Sequence, residues 1–373
     1  MSRGWLPHFQ AHAPGLLGDV EALVRRESPS DDAGSVGHLA RWIRDRLAER
    51  GVRAEIRPCA PRGDALLAWA GSPEGGTLLL GHLDTVWPVG TLAERPWRVE
   101  GGRAYGPGVF DMKAGIAVGM AVLAAVARES ASPRVSMLLV PDEEVGSAAS
   151  RELTVSVARQ HQRVLVLEPS QGGAAKVARK GCGTFHVRFS GRAAHAGLEP
   201  ERGASALAEM ARFVLFLGGL ADPATGTTLT ATVARAGGAT NVVPEAAELA
   251  VDARAWSAEG AERATAAIRG YSPGDARVAM AVEGGFDRPP LEPTAASTAL
   301  YEAARRIAAD LGFALGAARV GGGSDGNFTA AAGVPTLDGL GPRGAGAHAC
   351  DEHVEIDDLP LRAALVAALA YEA

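Results

Sequence analysis

Cysteine is scarce in this sequence. The three residues, Cys59, Cys182 and Cys350, are odd in number and far apart. A disulfide framework is therefore not expected, and a reducing compartment, the cytoplasm, is. Positive charge is also in deficit: 37 Lys and Arg face 43 Asp and Glu, a net charge of −6. Nucleic acid demands a basic face, so it is not an expected partner. Long apolar runs are missing too. The best candidate, residues 114–127, falls short of the roughly 20 residues needed to span a membrane and is rich in Ala and Gly. Residues 1–18 have no sustained apolar stretch behind a basic start, so no signal peptide is expected. Internal repeats and blocks of like charge are absent as well.

What is present is an ordinary globular composition, 47% apolar and 21% charged. At 373 residues the chain exceeds the usual size of one hydrophobic core, so two domains are expected. Residues 45–48 belong to an amphipathic helix in which Leu39, Ile43 and Leu47 recur at helical spacing. Residues 52–57 read as a strand. Residues 77–80, 135–140 and 164–167 read as buried strands, and 114–127 as a buried helix. Strands alternating with helices indicate a mostly parallel sheet covered on both faces. Sites in such sheets form beyond the carboxyl ends of the strands. His82, Asp84, Glu143, Glu144 and Glu168 all fall there.

The pattern changes near Gly181. Residues 184–189, 227–233 and 248–255 alternate, while 204–217 and 261–269 read as helices. This predicts a small antiparallel sheet with helices on one face. From about Pro289 the first pattern returns. Residues 182–288 are therefore expected as a domain inserted into one built from 1–181 and 289–373.

In His82-Leu83-Asp84, residues two apart on an extended segment point the same way. His82 can offer one ring nitrogen to a metal while Asp84 fixes the other; a capped strand end has the same pattern. Asp111, in Asp111-Met112-Lys113, precedes the buried helix and can be either a ligand or its N-cap. In Asp142-Glu143-Glu144, three carboxylates crowd a buried strand end, where they repel unless a dication sits among them or the turn is solvated. Adjacent side chains point apart, so one glutamate can bind metal while its neighbour reaches water. Glu168 ends another strand, and His348 lies in a Gly-rich loop. Imidazole and carboxylate ligands without thiolate suit zinc or a harder dication. A bridging carboxylate would give each of two metals three protein ligands. Water made acidic by such ions is the nucleophile these sites supply, with Glu143 left to move its proton.

In this order, the His-x-Asp, Asp-Met-Lys-x-Gly, Asp-Glu-Glu-x-Gly-Ser and Glu-Pro segments and the late His348 resemble the aminoacylase/glutamate-carboxypeptidase family of di-zinc metallopeptidases. The resemblance covers nearly the whole chain and is greatest to the bacterial glutamate carboxypeptidases. It implies an α/β fold, a mostly parallel-sheet zinc-exopeptidase catalytic domain with a small inserted α+β domain for dimerisation. It implies two Zn2+, with Co2+ or Mn2+ as substitutes. Asp111 bridges them, Glu144 and His348 complete one site, and His82 and Glu168 complete the other. It further implies that Asp84 orients His82, that Glu143 is the general base, and that a cis peptide follows Asp111.

The inserted domain carries a second group of similar segments. Gly191-Arg192-Ala193-Ala194-His195-Ala196-Gly197 resembles the family segment whose histidine reaches the partner subunit's site and stabilises the oxyanion. A homodimer hinged near residues 181 and 288 is implied. Asn241, in Thr240-Asn241-Val242, resembles the asparagine that binds the substrate carboxylate, and Asp252-Ala253-Arg254 resembles the family's Asp-x-Arg strand, making Arg254 a substrate-binding candidate. Lys176 and Arg288 resemble the Lys and Arg that hold the two carboxylates of a terminal glutamate; surface residues are the alternative. Gly321-Gly322-Gly323-Ser324 resembles a substrate loop, so Gly322 and Gly323 are further candidates. A phosphate loop is excluded by the lack of a following Gly-Lys-Ser/Thr. No role is assigned to Cys350.

The expected reaction is hydrolysis of an amide beside a free carboxylate, releasing a C-terminal amino acid, glutamate first, from small peptides or N-acyl conjugates. The alternative is an N-acyl-amino-acid deacylase, such as one acting on acetylornithine or succinyl-amino acids. A binding homologue without catalysis would lack a ligand or the base, and here all are present. No membrane partner is expected.

Overall fold

The computed structural model describes residues 4–72, 75–129, 133–221 and 225–372. The chain divides into two units. The first comprises Met1–Ala178, Pro293–Arg319 and Ser324–Ala373; the second comprises Arg179–Glu292 and Val320–Gly323. The second unit is thus slightly longer than residues 182–288. It also holds Val320–Gly323, which the sequence pattern assigned to the other domain.

The first unit is built on a six-stranded sheet, in the order Arg53–Pro58, Asp64–Ala70, Val135–Val140, Thr77–His82, Arg163–Val166, Thr336–Leu337. The last four strands pair in parallel, and the first two are antiparallel. The mostly parallel α/β expectation therefore holds in the part of the sheet that carries the candidate ligands. Thr77–His82 and Val135–Val140 are buried along their whole length, which is why they read as unbroken apolar runs. Successive side chains nonetheless go to opposite faces. Leu79, Met137, Leu139 and Leu165 enter one core, while Leu78, Leu80, Leu138, Val140, Val164 and Val166 enter the other.

The helix Ala114–Val126 is buried at every position except Ala121. With the turn before it, the apolar stretch runs over Val109–Val126, long and apolar enough by composition to cross a membrane, yet 89% of it is buried inside the protein. The sequence estimate of this run was too short, and burial identifies it as a core helix. Its start lies very close to the sheet. A Cβ on Gly115 would stand 2.1 Å from the Leu167 carbonyl oxygen, so only glycine lets the helix approach the strand end that leads to Glu168.

The second unit is an antiparallel sheet in the order Thr228–Ala236, Ala246–Ala255, Gly181–Ser190, Ala279–Arg288. Phe185, Val187 and Phe189 alternate with exposed neighbours and pack with Leu249, Val251, Met210, Phe213 and Ile268. The helices Ala206–Leu220 and Ala258–Arg269 supply the last three of these. The fourth strand, Ala279–Arg288, was not anticipated from sequence.

Candidate metal centre

The parallel strands deliver their C-terminal ends to one side of the first unit. His82 is the last residue of its strand, Glu143 and Glu144 lie in a helical turn just past Val140, and Glu168 is two residues past Val166. Asp111 sits in the irregular turn Val109–Lys113 before the buried helix, and its peptide bond to Met112 is cis, as the resemblance implied. His348 holds a left-handed φ of 61°, uncommon for a residue with a Cβ.

These side chains converge. His82 Nε2 lies 3.1 Å from Asp111 Oδ1 and 3.6 Å from Glu168 Oε1. His348 Nε2 lies 3.1 Å from Glu144 Oε2 and 3.6 Å from Asp111 Oδ2. The two oxygens of Asp111 thus face different partners, His82 with Glu168 on one side and His348 with Glu144 on the other. Glu143 shares the first neighbourhood: single ligand atoms of His82, Glu143 and Glu168 all lie within 4.8 Å of one another, as do those of His82, Asp111 and Glu144. The His82 side chain is 1% exposed and that of His348 is 51% exposed, so the cluster opens at His348.

Asp84 lies beside His82 and also holds the glutamate pair. His82 Nδ1 is 2.9 Å from the Asp84 carbonyl oxygen and 3.5 Å from its carboxylate. The carboxylate accepts hydrogen bonds from Ser30 Oγ at 2.7 Å and from the main-chain N–H groups of Glu143 and Glu144 at 3.1 and 3.2 Å. One residue therefore steadies His82 mainly through its backbone, and the glutamate pair through its side chain. Asp142 takes no place in the cluster. Its buried carboxylate accepts from Ala149 N and Ser150 Oγ, which removes the third charge of the acidic triplet from the site.

Electrostatics show what the cluster can hold. Burial works against a charged His82, but hydrogen bonds and charge from Asp111 and Asp84 outweigh it and hold its pKa well above the ordinary value. Asp111 is lowered: burial opposes its charge, and His82, His348 and Lys176 more than compensate. The hydrogen bond that His348 donates to Glu144 raises its pKa to about 9 against the cost of burial. In addition, Glu144 Oε1 is buried without a hydrogen-bond partner, a costly state for a carboxylate oxygen. Two imidazoles thus hold protons among carboxylates, and one carboxylate oxygen has no donor. Nitrogen and oxygen donors in this arrangement fit dications of the zinc type, which would take the place of those protons.

The remaining candidates lie elsewhere. Lys176 is in the first unit and is 9% exposed, so it is not a surface lysine; its charge reaches Asp111. His195, Asn241, Arg254, Arg288, Gly322 and Gly323 belong to the second unit. His195 bridges to Val242, its Nδ1 accepts from Gly197 N at 3.1 Å, and Ala196 N donates to the Asn241 carbonyl. Arg254 forms two hydrogen bonds to Asp252 and one to the Gly321 carbonyl at 3.0 Å, so it ties the glycine loop to the strand that carries Asp252. Buried Arg288 pairs in register with Cys182, and a Cβ on Gly323 would stand 2.5 Å from Arg288 Cδ. Arg179, unmarked by any motif, donates to the carbonyls of Gly322 and Gly323. Sequence reasoning also missed Ser30 and gave no role to Glu352, which it met only in the Asp351-Glu352-His353-Val354 segment of the resemblance; their partners near the cluster are more than 50 and 240 positions away.

Comparison with known proteins follows the same lines. The family model described as Peptidase family M20/M25/M40 matches residues 78–372. Carboxypeptidase G2 of a Pseudomonas species is 31% identical over 377 residues, covering 97% of this chain and 90% of that protein. Succinyl-diaminopimelate desuccinylase of Methylococcus capsulatus is 30% identical over 374 residues, covering 92% and 94% respectively. Among solved structures, aminopeptidase PepT from Bacillus cereus superposes with a TM-score of 0.82 at 22% identity, covering 96% of this chain and 98% of that one.

Proposed function

The chain belongs to peptidase family M20/M25/M40 and is a hydrolase of that family; from this premise we propose that it uses two zinc ions to cut an amide bond next to a free carboxylate, releasing a C-terminal amino acid, glutamate above others, from small peptides or N-acyl conjugates. The observation that carries this reading is the Asp111 carboxylate, whose two oxygens face different histidines. Asp111, His82 and Glu168 would hold one ion, and Asp111, Glu144 and His348 would hold the other. Co2+ and Mn2+ accept the same nitrogen and oxygen donors and are the expected substitutes.

When bound, the ions supply Lewis acidity, bringing the pKa of water toward neutrality and drawing charge from the scissile carbonyl. Glu143 takes the proton of the attacking water and hands it to the leaving amine nitrogen. Asp84 keeps Glu143 in place through its main chain. His195 offers a ring N–H to the carbonyl oxygen as charge develops there. Lys176, Asn241, Arg254 and Arg288 hold the substrate carboxylates, with Gly322 and Gly323 presented by Arg179 and the preceding Gly321 held by Arg254. The three free cysteines support a reducing, cytoplasmic setting.

The second unit's own geometry supports a composite site in a homodimer. Arg254 and Arg288 pair with Cys182 at one end of the strand Gly181–Ser190, while His195 and Asn241 lie in the segments beyond its Ser190 end. The eight steps from Cys182 to Ser190 amount to roughly 27 Å. Two extended residues of a substrate span only about 7 Å. One small substrate cannot reach both groups of a single copy, so if both act on it, His195 and Asn241 come from the partner subunit.

The likeness to the desuccinylase over nearly the full chain keeps a deacylase as the second reading. A substrate panel separates the two. Zinc-, cobalt- and manganese-loaded protein would be assayed on acyl-glutamates, dipeptides, N-acetylornithine and succinyl-diaminopimelate. The highest kcat/KM is expected on C-terminal glutamate. Preference for N-acetylornithine or the succinyl compound would replace this reading with the second one.

A further inference from the structure

Glu352 lies four residues past His348 and is 3% exposed. Four N–H donors converge on its carboxylate. Oε1 accepts from the main chain of Phe110 at 2.9 Å and of Asp111 at 3.0 Å, and Oε2 accepts from the main chain of Gly108 and the indole of Trp87, both at 2.8 Å. Burial pushes the Glu352 pKa up, and these bonds offset that rise only in part. A carboxylate with four good donors is well satisfied even in a buried setting. The Trp87 ring is itself covered by the Arg95 guanidinium, 3.9 Å from the ring centre. One carboxylate therefore ties together three segments: the one that follows His82 and Asp84, the turn that presents Asp111, and the loop that carries His348.

We propose that Glu352 is the positioning residue of the bridging aspartate: by clamping the main chain on both sides of Phe110 it fixes the direction in which the two Asp111 oxygens face. The inference rests on the two-cation reading above. Glu352 bonds to the backbone of Asp111 and acts on the ions only through it. Both Glu352 oxygens accept two hydrogen bonds, so an isosteric amide cannot replace the carboxylate. Glutamine would turn an NH2 group toward two N–H donors wherever it pointed.

The test uses the full-length protein and Glu352→Gln. Metal stoichiometry and apparent zinc affinity would be read by competition with a chromophoric chelator, alongside thermal melting of the metal-free protein. Wild type is expected to bind two ions; failure there refutes the two-cation reading itself, whatever the variant does. Glu352→Gln is expected to fold but to lose about ten- to hundred-fold in affinity for the pair of ions, the range seen when groups orienting metal ligands are removed. A folded variant with wild-type stoichiometry and affinity overturns the proposal. Trp87→Phe leaves both Oε1 bonds intact and should keep wild-type affinity; a loss as large as that of Glu352→Gln would locate the effect in the Trp87 segment and also overturn it. Should Glu352→Gln fail to fold, amide exchange in metal-free wild type decides. Protection at Phe110 and Asp111 supports a preformed clamp, and exchange at the rate of an open loop refutes it.

Discussion

Glu143 and Glu144 are adjacent in sequence, share one anchor in the Asp84 carboxylate, and still end in different places. Glu144 is tied to His348, and its second oxygen lacks a donor, while Glu143 sits beside His82 and Glu168. On the proposed reading only Glu143 moves a proton. Glu143→Ala should keep the fold and both metals and lose on the order of 100- to 10,000-fold in kcat; near wild-type turnover at confirmed metal content would remove Glu143 from that role. His348 permits a second residue-level prediction. Its pKa in the metal-free protein is raised to about 9, so at pH 7.5 it carries a proton that an incoming cation must expel. The sign follows directly: apparent metal affinity rises with pH, about tenfold per unit for this one proton, and levels off as pH passes His348's own pKa. Titration calorimetry in buffers of different ionisation enthalpy should report proton release on zinc binding, and less of it in His348→Ala. Binding heats that do not depend on the buffer would contradict this.

At the scale of the element, the site depends on how closely the buried helix approaches the sheet. Gly115→Ala places a Cβ against the Leu167 carbonyl, a main-chain contact that movement of the neighbouring Met112 side chain cannot relieve. Overpacking of this kind costs about 1–3 kcal/mol. The variant should melt at lower temperature and bind zinc more weakly, because Leu167 leads directly into Glu168. An unchanged melting curve would mean that the approach is looser than described. The same elements explain what was legible in the sequence. Residues 77–80, 135–140 and 164–167 were readable because a strand buried on both faces leaves an unbroken apolar run, and His82, Glu144 and Glu168 stood out as candidates because they lie at or just past the ends of those runs. Ala279–Arg288 was not readable. Gly284 and Gly285 weaken its local preference for strand, and its register with Gly181–Ser190 is formed by a partner about a hundred residues away. Asp64–Ala70 escaped for a related reason: its strand identity comes from pairing with Arg53–Pro58 and Val135–Val140. Arg179 left no trace, and Glu352 stood out only as part of the Asp351-Glu352-His353-Val354 segment after His348, with no role, because both bond to main-chain N–H and C=O groups, which every residue type offers.

At the scale of the whole molecule, the role proposed for His195 depends on which chain's site it serves. The second unit carries Arg254 and Arg288 toward one end of its long strand and His195 and Asn241 beyond the other. A strand of this length cannot be shortened to bring the two groups onto one small substrate, so the composite-site reading requires exchange of ends between two copies. Mixing two inactive variants tests that requirement. Glu143→Ala chains and His195→Ala chains would each form dead homodimers, since every site in either has lost its base or its oxyanion donor. Combined under conditions that let subunits exchange, they form heterodimers. One site then pairs Glu143→Ala with the other chain's His195→Ala and carries both lesions. The other pairs an intact Glu143 with an intact His195 and carries neither. Each heterodimer should recover about half the activity of a wild-type dimer, and a statistical mixture, half heterodimer, should recover about a quarter. Size-exclusion chromatography would establish the dimer, and mass spectrometry of differently tagged chains would establish exchange. Activity that stays at the level of the unmixed variants, with exchange verified, would mean that His195 serves its own chain or takes no part in the reaction.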